Sequence, residues 1–277
     1  MRRSHIASLA FLAFGISTCK ARMASQVAIA ATSETVSIQL TPESCDTHGR
    51  VLATGDLPTP EDLAKDAYCV DMIMRQYAPR GAITVFGSAR PKADHPNYLA
   101  TVAFAKAWAE GSQASTYPIL TGGGPGIMEA ANHGAKEGGA TSLGLGTYFG
   151  AGNSPEQSLN GFLTKGFLCA SFSQREAEMV DRAAAIVIAP GGLGTEWEVF
   201  ESLSKVQTKK IRKVPIVMIG GQDDDWATLV QRIERMRAAN TISDGDEKLM
   251  VIIKDPVKAA RYIEACLGDG QCPAPPN

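Results

Sequence analysis

The sequence has no CxxC pair, no HxxxH pair and no GK[ST] triplet, and each absence removes a class of chemistry. The six cysteines, at positions 19, 45, 69, 169, 266 and 272, show no metal-ligand spacing. Scattered through a chain of 277 residues, they do not form the dense pattern of a disulfide scaffold, and only Cys266 and Cys272 suggest a bridge in an oxidising compartment. The four histidines (His5, His48, His95, His133) form no zinc-binding pair, so no metal site is expected. Without GK[ST] there is no Walker-type phosphate loop. A formal net charge of -2 and the lack of a basic stripe argue against a nucleic-acid footprint. The densest basic group, Lys209, Lys210, Arg212 and Lys213, reads as a solvated helix end before a strand. The N-terminal apolar stretch from Ile6 to Ile16 is too short to cross a bilayer as a helix, so no stable membrane span is expected.

What is present suits one sizeable domain. With 44% hydrophobic and 20% charged residues the chain can bury a substantial core. Residues 1–57 read as a leader ending in the turn-rich "TGDLPTP", residues 58–268 as the domain, and 269–277 as a flexible tail. The leader admits three readings. Arg2 and Arg3 before an apolar stretch resemble a secretory signal, with Ala28-Ile29-Ala30 as a distant cleavage site and Cys19 at a lipoprotein-like position after an ill-suited Thr18. The absence of an acid before Glu34 resembles a transit peptide. Alternatively translation begins at Met23. A nucleotide pool argues for the cytoplasm, which is the expected location; the leader argues for export.

From Pro60 onward, apolar runs alternate with amphipathic helical patterns. Strands are expected at 82–86, 117–120, in "ATSLGLG", and at 185–189, 214–220 and 249–254. Helices are expected between them, with a long glycine-rich loop over about 147–166. Near-continuous apolar strands separated by helices imply an α/β fold: a doubly wound, mostly parallel, Rossmann-like sheet with helices on both faces.

Three loops leave strand ends through glycine: "FGSAR" (86–90), "TGGGPGI" (121–127) and "PGGLGT" (190–195). Glycine lets backbone N–H groups approach a ligand, and the helix that follows adds donors and partial positive charge, which suits phosphate. One such loop is an ordinary tight turn; three at the same edge of one sheet point to a ligand. The dinucleotide fingerprint fails, because Ile127 stands where GxGxxG needs its last glycine. A mononucleotide or sugar phosphate is therefore expected.

"GGGPGIMEAANHGA" and "PGGLGTEWE" together resemble the Lonely Guy family, the cytokinin riboside 5'-monophosphate phosphoribohydrolases formerly labelled lysine decarboxylases. The similarity covers about Ala82 to Gly220. It implies an enzyme, a hydrolase without metal or organic cofactor, and a homodimer or higher oligomer. The expected reaction cleaves the N-glycosidic bond of a purine nucleoside 5'-monophosphate, AMP or an N6-prenylated AMP. The resemblance places the catalytic pair on Glu198 and Arg175 and the phosphate and ribose grip on Gly191, Gly192, Gly194 and Thr195. Gly123, Gly124 and Ser88 join the substrate-binding set from the other two loops. This chain reads Arg175-Glu176 where family members commonly read Arg-Lys, and it carries Trp197 where a small, aliphatic or acidic residue is usual.

The residues support that assignment by their chemistry. Glu198 lies in the first turn after a phosphate-type loop, where a carboxylate can stabilise an oxocarbenium-like ribose and activate water. A guanidinium at Arg175 suits phosphate or ribose hydroxyls. Glu129 serves equally as a helix cap, and Asn132 faces either ligand or solvent. Met128 and Met179 suit packing as well as the family pattern. The other function class is a non-catalytic nucleotide or cofactor carrier, which would need the glycine loops but not this acid–arginine pair. A pyridoxal-phosphate decarboxylase would need a lysine at a strand end, and none follows these loops.

Overall fold

The computed structural model describes residues 38–148, 159–221, 225–268 and 270–276. Seven strands form one parallel sheet: β1 (Ala82–Phe86), β2 (Ile119–Thr121), β3 (Ser142–Thr147), β4 (Lys165–Cys169), β5 (Ala183–Ile188), β6 (Ile216–Met218) and β7 (Val251–Ile252). Seven α-helices accompany them: α1 (Pro60–Tyr77), α2 (Pro96–Ala109), α3 (Ile127–Glu137), α4 (Phe172–Asp181), α5 (Leu193–Gln207), α6 (Ala227–Ala238) and α7 (Pro256–Gly268). The α/β architecture read from the sequence is the observed one.

Strand order is β4-β3-β2-β1-β5-β6-β7. The chain winds outward from β1 to one edge, returns to pair β5 beside β1, and winds outward to the other. Order therefore reverses between β1 and β5, and the crevice for a ligand lies beyond their carboxyl ends. That is where "FGSAR" and "PGGLGT" emerge.

Period-two alternation divides the core. Ile83 and Val85 of β1 face Phe104, Trp108, Ile127 and Ile263 on one side, while Ala82 and Phe86 face Val70, Met179 and Val199 on the other. Between them Thr84, fully buried, donates to the Met179 carbonyl at 3.0 Å, so its hydroxyl is satisfied and ties α4 to the central strand. Helix α1 starts with a capping box: Thr59 Oγ1 accepts from Asp62 N–H at 3.2 Å, and Asp62 accepts from Thr59 N–H at 2.9 Å.

Three features differ from the sequence reading. First, Lys165–Cys169 is an edge strand, where a loop was expected up to Gly166; its one glycine and single-sided pairing leave little periodicity to detect. Residues 149–158 of that loop lie outside the described residues. Second, the compact unit begins at Leu40 rather than near 58. A 3₁₀ turn at Pro42–Cys45 leads into a strap that covers β4: Gly49 N–H donates to the Leu168 carbonyl at 2.7 Å, and Leu168 N–H donates to His48 Nδ1 at 3.3 Å. Third, besides Cys266–Cys272 there is an unexpected bridge, Cys45–Cys69, which fastens this strap to α1 with Cα atoms 5.4 Å apart. Cys169 is a buried free thiol whose pKa is raised, chiefly by desolvation. Among the described residues no helix is long and apolar enough to cross a membrane.

The Cys45–Cys69 loop spans 24 residues, so losing it is expected to cost about 3.5 kcal/mol by the chain-entropy relation. Thermal unfolding of Cys45→Ser should show this loss, and a reducing agent should lower the wild-type midpoint by more than that of the variant, in which only Cys266–Cys272 remains to be reduced.

Candidate active site

The loops after β1, β2 and β5 enclose a cavity of about 460 Å³ lined by Ser88, Arg90, Gly122, Gly124, Phe172, Arg175, Glu176, Gly192, Gly194, Thr195 and Glu198, among others. Local sequence explains how the walls form. Helices α1, α2 and α4 begin with side-chain caps from Thr59, His95 and Ser171. Helices α3 and α5 begin at Gly126 and Gly192 with no side-chain cap bond. The Ile127 N–H is taken by the Ser88 carbonyl at 2.9 Å, the remaining first-turn N–H groups have no side-chain cap, and the helix dipoles favour an anion. At Gly126, φ is 68° and a Cβ would meet the Ser88 oxygen at 2.5 Å, so this loop packs against "FGSAR" only as glycine. A Cβ on Gly122 would stand 2.7 Å from Arg175 Nη1, so that glycine makes room for the guanidinium.

Helix α4 is pinned at its start. Asp66 of α1, 1% exposed, accepts from Ala170 N–H at 3.0 Å and Ser171 N–H at 2.8 Å. Burial raises the pKa of its carboxyl, against the two backbone bonds that lower it. One turn further on, Arg175 is 6% exposed. Its Nη1 donates to the Leu145 carbonyl at 3.3 Å, its Nη2 pairs with the Glu176 carboxylate, and its Cζ lies 5.1 Å from the Phe172 ring centroid. Phe172, which lines the cavity, in turn leans on Trp197, centroids 5.1 Å apart.

Glu176 is 1% exposed and lines the same cavity as Glu198. The pKa of both carboxyls is raised. Desolvation is the largest cause for each; the charge of Glu176 raises Glu198 further, and Arg175 opposes both shifts. Three polar atoms here are buried without any partner: Arg175 Nε, Glu176 Oε2 and Glu198 Oε2. Such atoms are costly unless a ligand satisfies them.

Of the residues singled out from the sequence, Glu198, Arg175, Gly192, Gly194, Thr195, Gly124 and Ser88 line the one cavity. Gly191 lines an adjoining groove with Arg90 and Lys92. Gly123 turns beneath the loop, where its N–H meets Thr121 Oγ1 at 2.9 Å. Glu129 accepts from the Tyr98 hydroxyl at 3.0 Å and is not in the cavity wall. Asn132 faces neither ligand nor solvent. It is fully buried, accepts from Thr121 Oγ1 at 2.7 Å and Asn160 Nδ2 at 2.9 Å, and donates to Ser142 Oγ at 2.8 Å. Arg90 and Phe172 were not singled out. The first sits inside "FGSAR" and was findable there; the second carries no motif signal.

The raised carboxyl pKa values set a pH dependence of stability. The folded chain holds these protons more tightly than the unfolded one. Folding is therefore favoured most at low pH, and stability falls as pH rises from the ordinary glutamate range through the raised values. Glu198→Gln mimics the protonated acid and removes its ionisation. It is expected to melt above wild type at about pH 8, by about 2–4 °C per kcal/mol gained, with the difference vanishing below the ordinary glutamate pKa. Calorimetry across pH checks this.

Residues 128–263 match the family model described as possible lysine decarboxylase. No curated protein matches the chain. Among solved structures, the molybdenum cofactor carrier protein of Chlamydomonas reinhardtii is similar, with 19% identity over 69% of this chain and 99% of that one, at a TM-score of 0.50. A second structure of that carrier gives 21% identity, 68% and 98% coverage, and a TM-score of 0.48. The structural-genomics target TM1055 gives 18%, 66% and 98%, and 0.46. At these identities the likeness is one of fold. Through residues 128–263, which carry the "GGLGTEWE" motif, the chain is a member of the Lonely Guy family, whose model bears the description possible lysine decarboxylase.

Proposed function

We propose that the chain hydrolyses the N-glycosidic bond of a purine nucleoside 5'-monophosphate, releasing the free base and ribose 5-phosphate. The observation that carries this reading is the presence of Glu198 and Arg175, with buried unpartnered atoms, in the same cavity as two uncapped helix N-termini. The glycine-loop N–H groups bind the 5'-phosphate, with Thr195 and Ser88 beside them. The Phe172–Trp197 side receives the base. Arg175 Nε, which has no protein partner, donates to a ribose or phosphate oxygen. Departure of the base leaves positive charge on the ribose, which the carboxyl group of Glu198 stabilises while water adds at C1'. A lysine decarboxylase reading finds no lysine in the cavity wall to hold a pyridoxal cofactor.

The second reading is a binder without turnover, favoured by the shared fold of the molybdenum cofactor carrier protein. It leaves the Arg175–Glu176–Glu198 group without a task. The active form is a homodimer or larger homo-oligomer: Leu193, 92% exposed at the cavity rim, and Trp197 beside it are apolar surface for a second subunit. The two disulfides favour the exported reading of the leader over the cytoplasmic one, since such bridges persist in oxidising compartments.

Chromatography of the oxidised protein incubated with AMP, prenylated AMP, adenosine, CMP and GMP tests the reaction. Base and ribose 5-phosphate are expected from purine monophosphates and not from adenosine, with a loss of at least about 100-fold in Glu198→Gln. Nucleotides that stay intact while raising the melting temperature would make the protein a carrier.

A further inference from the structure

The position after the catalytic arginine holds an acid, Glu176, and that acid is not at the surface. It is 1% exposed, pairs with Arg175 Nη2 and lines the cavity together with Glu198, and the Oε2 atoms of both acids are buried without a partner. Two ionised carboxylates in one buried wall repel each other, and a proton on one of them removes that repulsion and makes it a donor. The charge count agrees. One guanidinium neutralises one carboxylate, and a second negative charge in the same desolvated space would have no counter-ion. The remaining charged groups nearby do not supply one. Glu201, one turn along α5, is occupied by Lys205 at 3.0 Å; Asp66 is spent on the backbone at the head of α4; Arg90 is exposed on the loop across the cavity. Strands β3 and β5, against which α4 packs, carry no ionisable side chain.

We infer that Glu176 is a positioning residue that keeps Glu198 in its acid form: the two carboxyls hold a single proton, Arg175 fixes Glu176 as the anionic partner, and Glu198 delivers that proton to the departing purine. This rests on the hydrolytic reading above. As the C1'–N bond breaks, its electron pair passes to the purine nitrogen and the Glu198 proton is transferred to a purine ring nitrogen. Water adds to C1', and the proton it loses goes to the Glu198 carboxylate, which restores the pair. The sum is nucleotide plus water giving base and ribose 5-phosphate, with no other reactant. The Oε2 atoms of both carboxyls are buried and have no protein partner, so neither gives up a bond when the proton moves. A purine is the fitting leaving group because its ring nitrogens accept a proton, whereas a lysine in place of Glu176 would favour the ionised form of Glu198.

The test uses the full oxidised chain and two readouts. In the pH profile of kcat with AMP, wild type is expected to lose activity as pH rises through loss of the shared proton. In Glu176→Gln, Arg175 is free to neutralise Glu198 and the alkaline limb should move down by about one pH unit or more, with KM changed less than about twofold. Glu176→Asp should return the limb toward its wild-type position. A limb unmoved in Glu176→Gln, or a loss confined to KM, overturns the proposal. The second readout needs no turnover. The infrared band of a protonated carboxyl, present in wild type at neutral pH, should vanish in both Glu176→Gln and Glu198→Gln, with melting curves verifying that each variant folds. Its persistence in either variant sinks the shared proton. The band behaving as expected with no hydrolysis of any nucleotide would instead sink the reaction on which the inference is built.

Discussion

One positive charge is buried with two carboxyl groups, and the rest of the site follows from that imbalance. Arg175, Glu176 and Glu198 occupy a space from which water is largely excluded. Desolvation penalises each ion, and removing Arg175 would leave the Glu176 carboxylate buried without its counter-ion. Such a group holds together only if its helices cannot drift. The fold supplies this at both ends of α4: Asp66 grips the backbone at its head, and Thr84 grips the Met179 carbonyl two turns later. Both grips come from elements deep in the core, so the arginine is held by the same packing that holds the sheet.

The sheet contributes the other half of the site through its topology. Because the winding reverses between β1 and β5, two glycine loops emerge side by side, and "TGGGPG" closes the third wall. Side-chain caps begin α1, α2 and α4, whereas α3 and α5, whose starts at Gly126 and Gly192 flank the cavity, have none. With glycine in place of a capping side chain the protein gives up roughly a few tenths of a kcal/mol at each of these starts and keeps donors available for an anion. Stability is conceded at the place where binding needs it.

Much of this is written locally. Strand positions, the doubly wound class and the glycine loops follow from apolar runs and from backbone requirements within a few residues. The "PGGLGTEWE" stretch places Glu198 beside a phosphate-type loop without any tertiary information. What is not legible depends on neighbours distant in sequence. Lys165–Cys169 pairs on one side only and has little pattern of its own. Asn132 reads as a polar helix residue and turns out to be the hub of a buried network that joins Thr121, Ser142 and Asn160. Glu176 reads as a departure in a motif; its burial against Glu198 comes from the packing of α4 on α5. Cys45 finds Cys69 only after the strap has folded back, which no spacing rule anticipates.

The strap also decides where the domain begins. Compositional reading draws a boundary near Leu57, yet Thr41 to Arg50 cover the outer side of β4 and are riveted to α1 by sulfur and by the Arg50–Asp62 ion pair at 2.8 Å. A chain cut at the compositional boundary would present Leu168 and its neighbours as a bare strand margin, with Cys69 as a lone thiol beside it. An uncovered margin recruits other strands. For anyone handling this protein, the segment that looks most dispensable is therefore the selvedge that keeps the sheet from being woven into its neighbours.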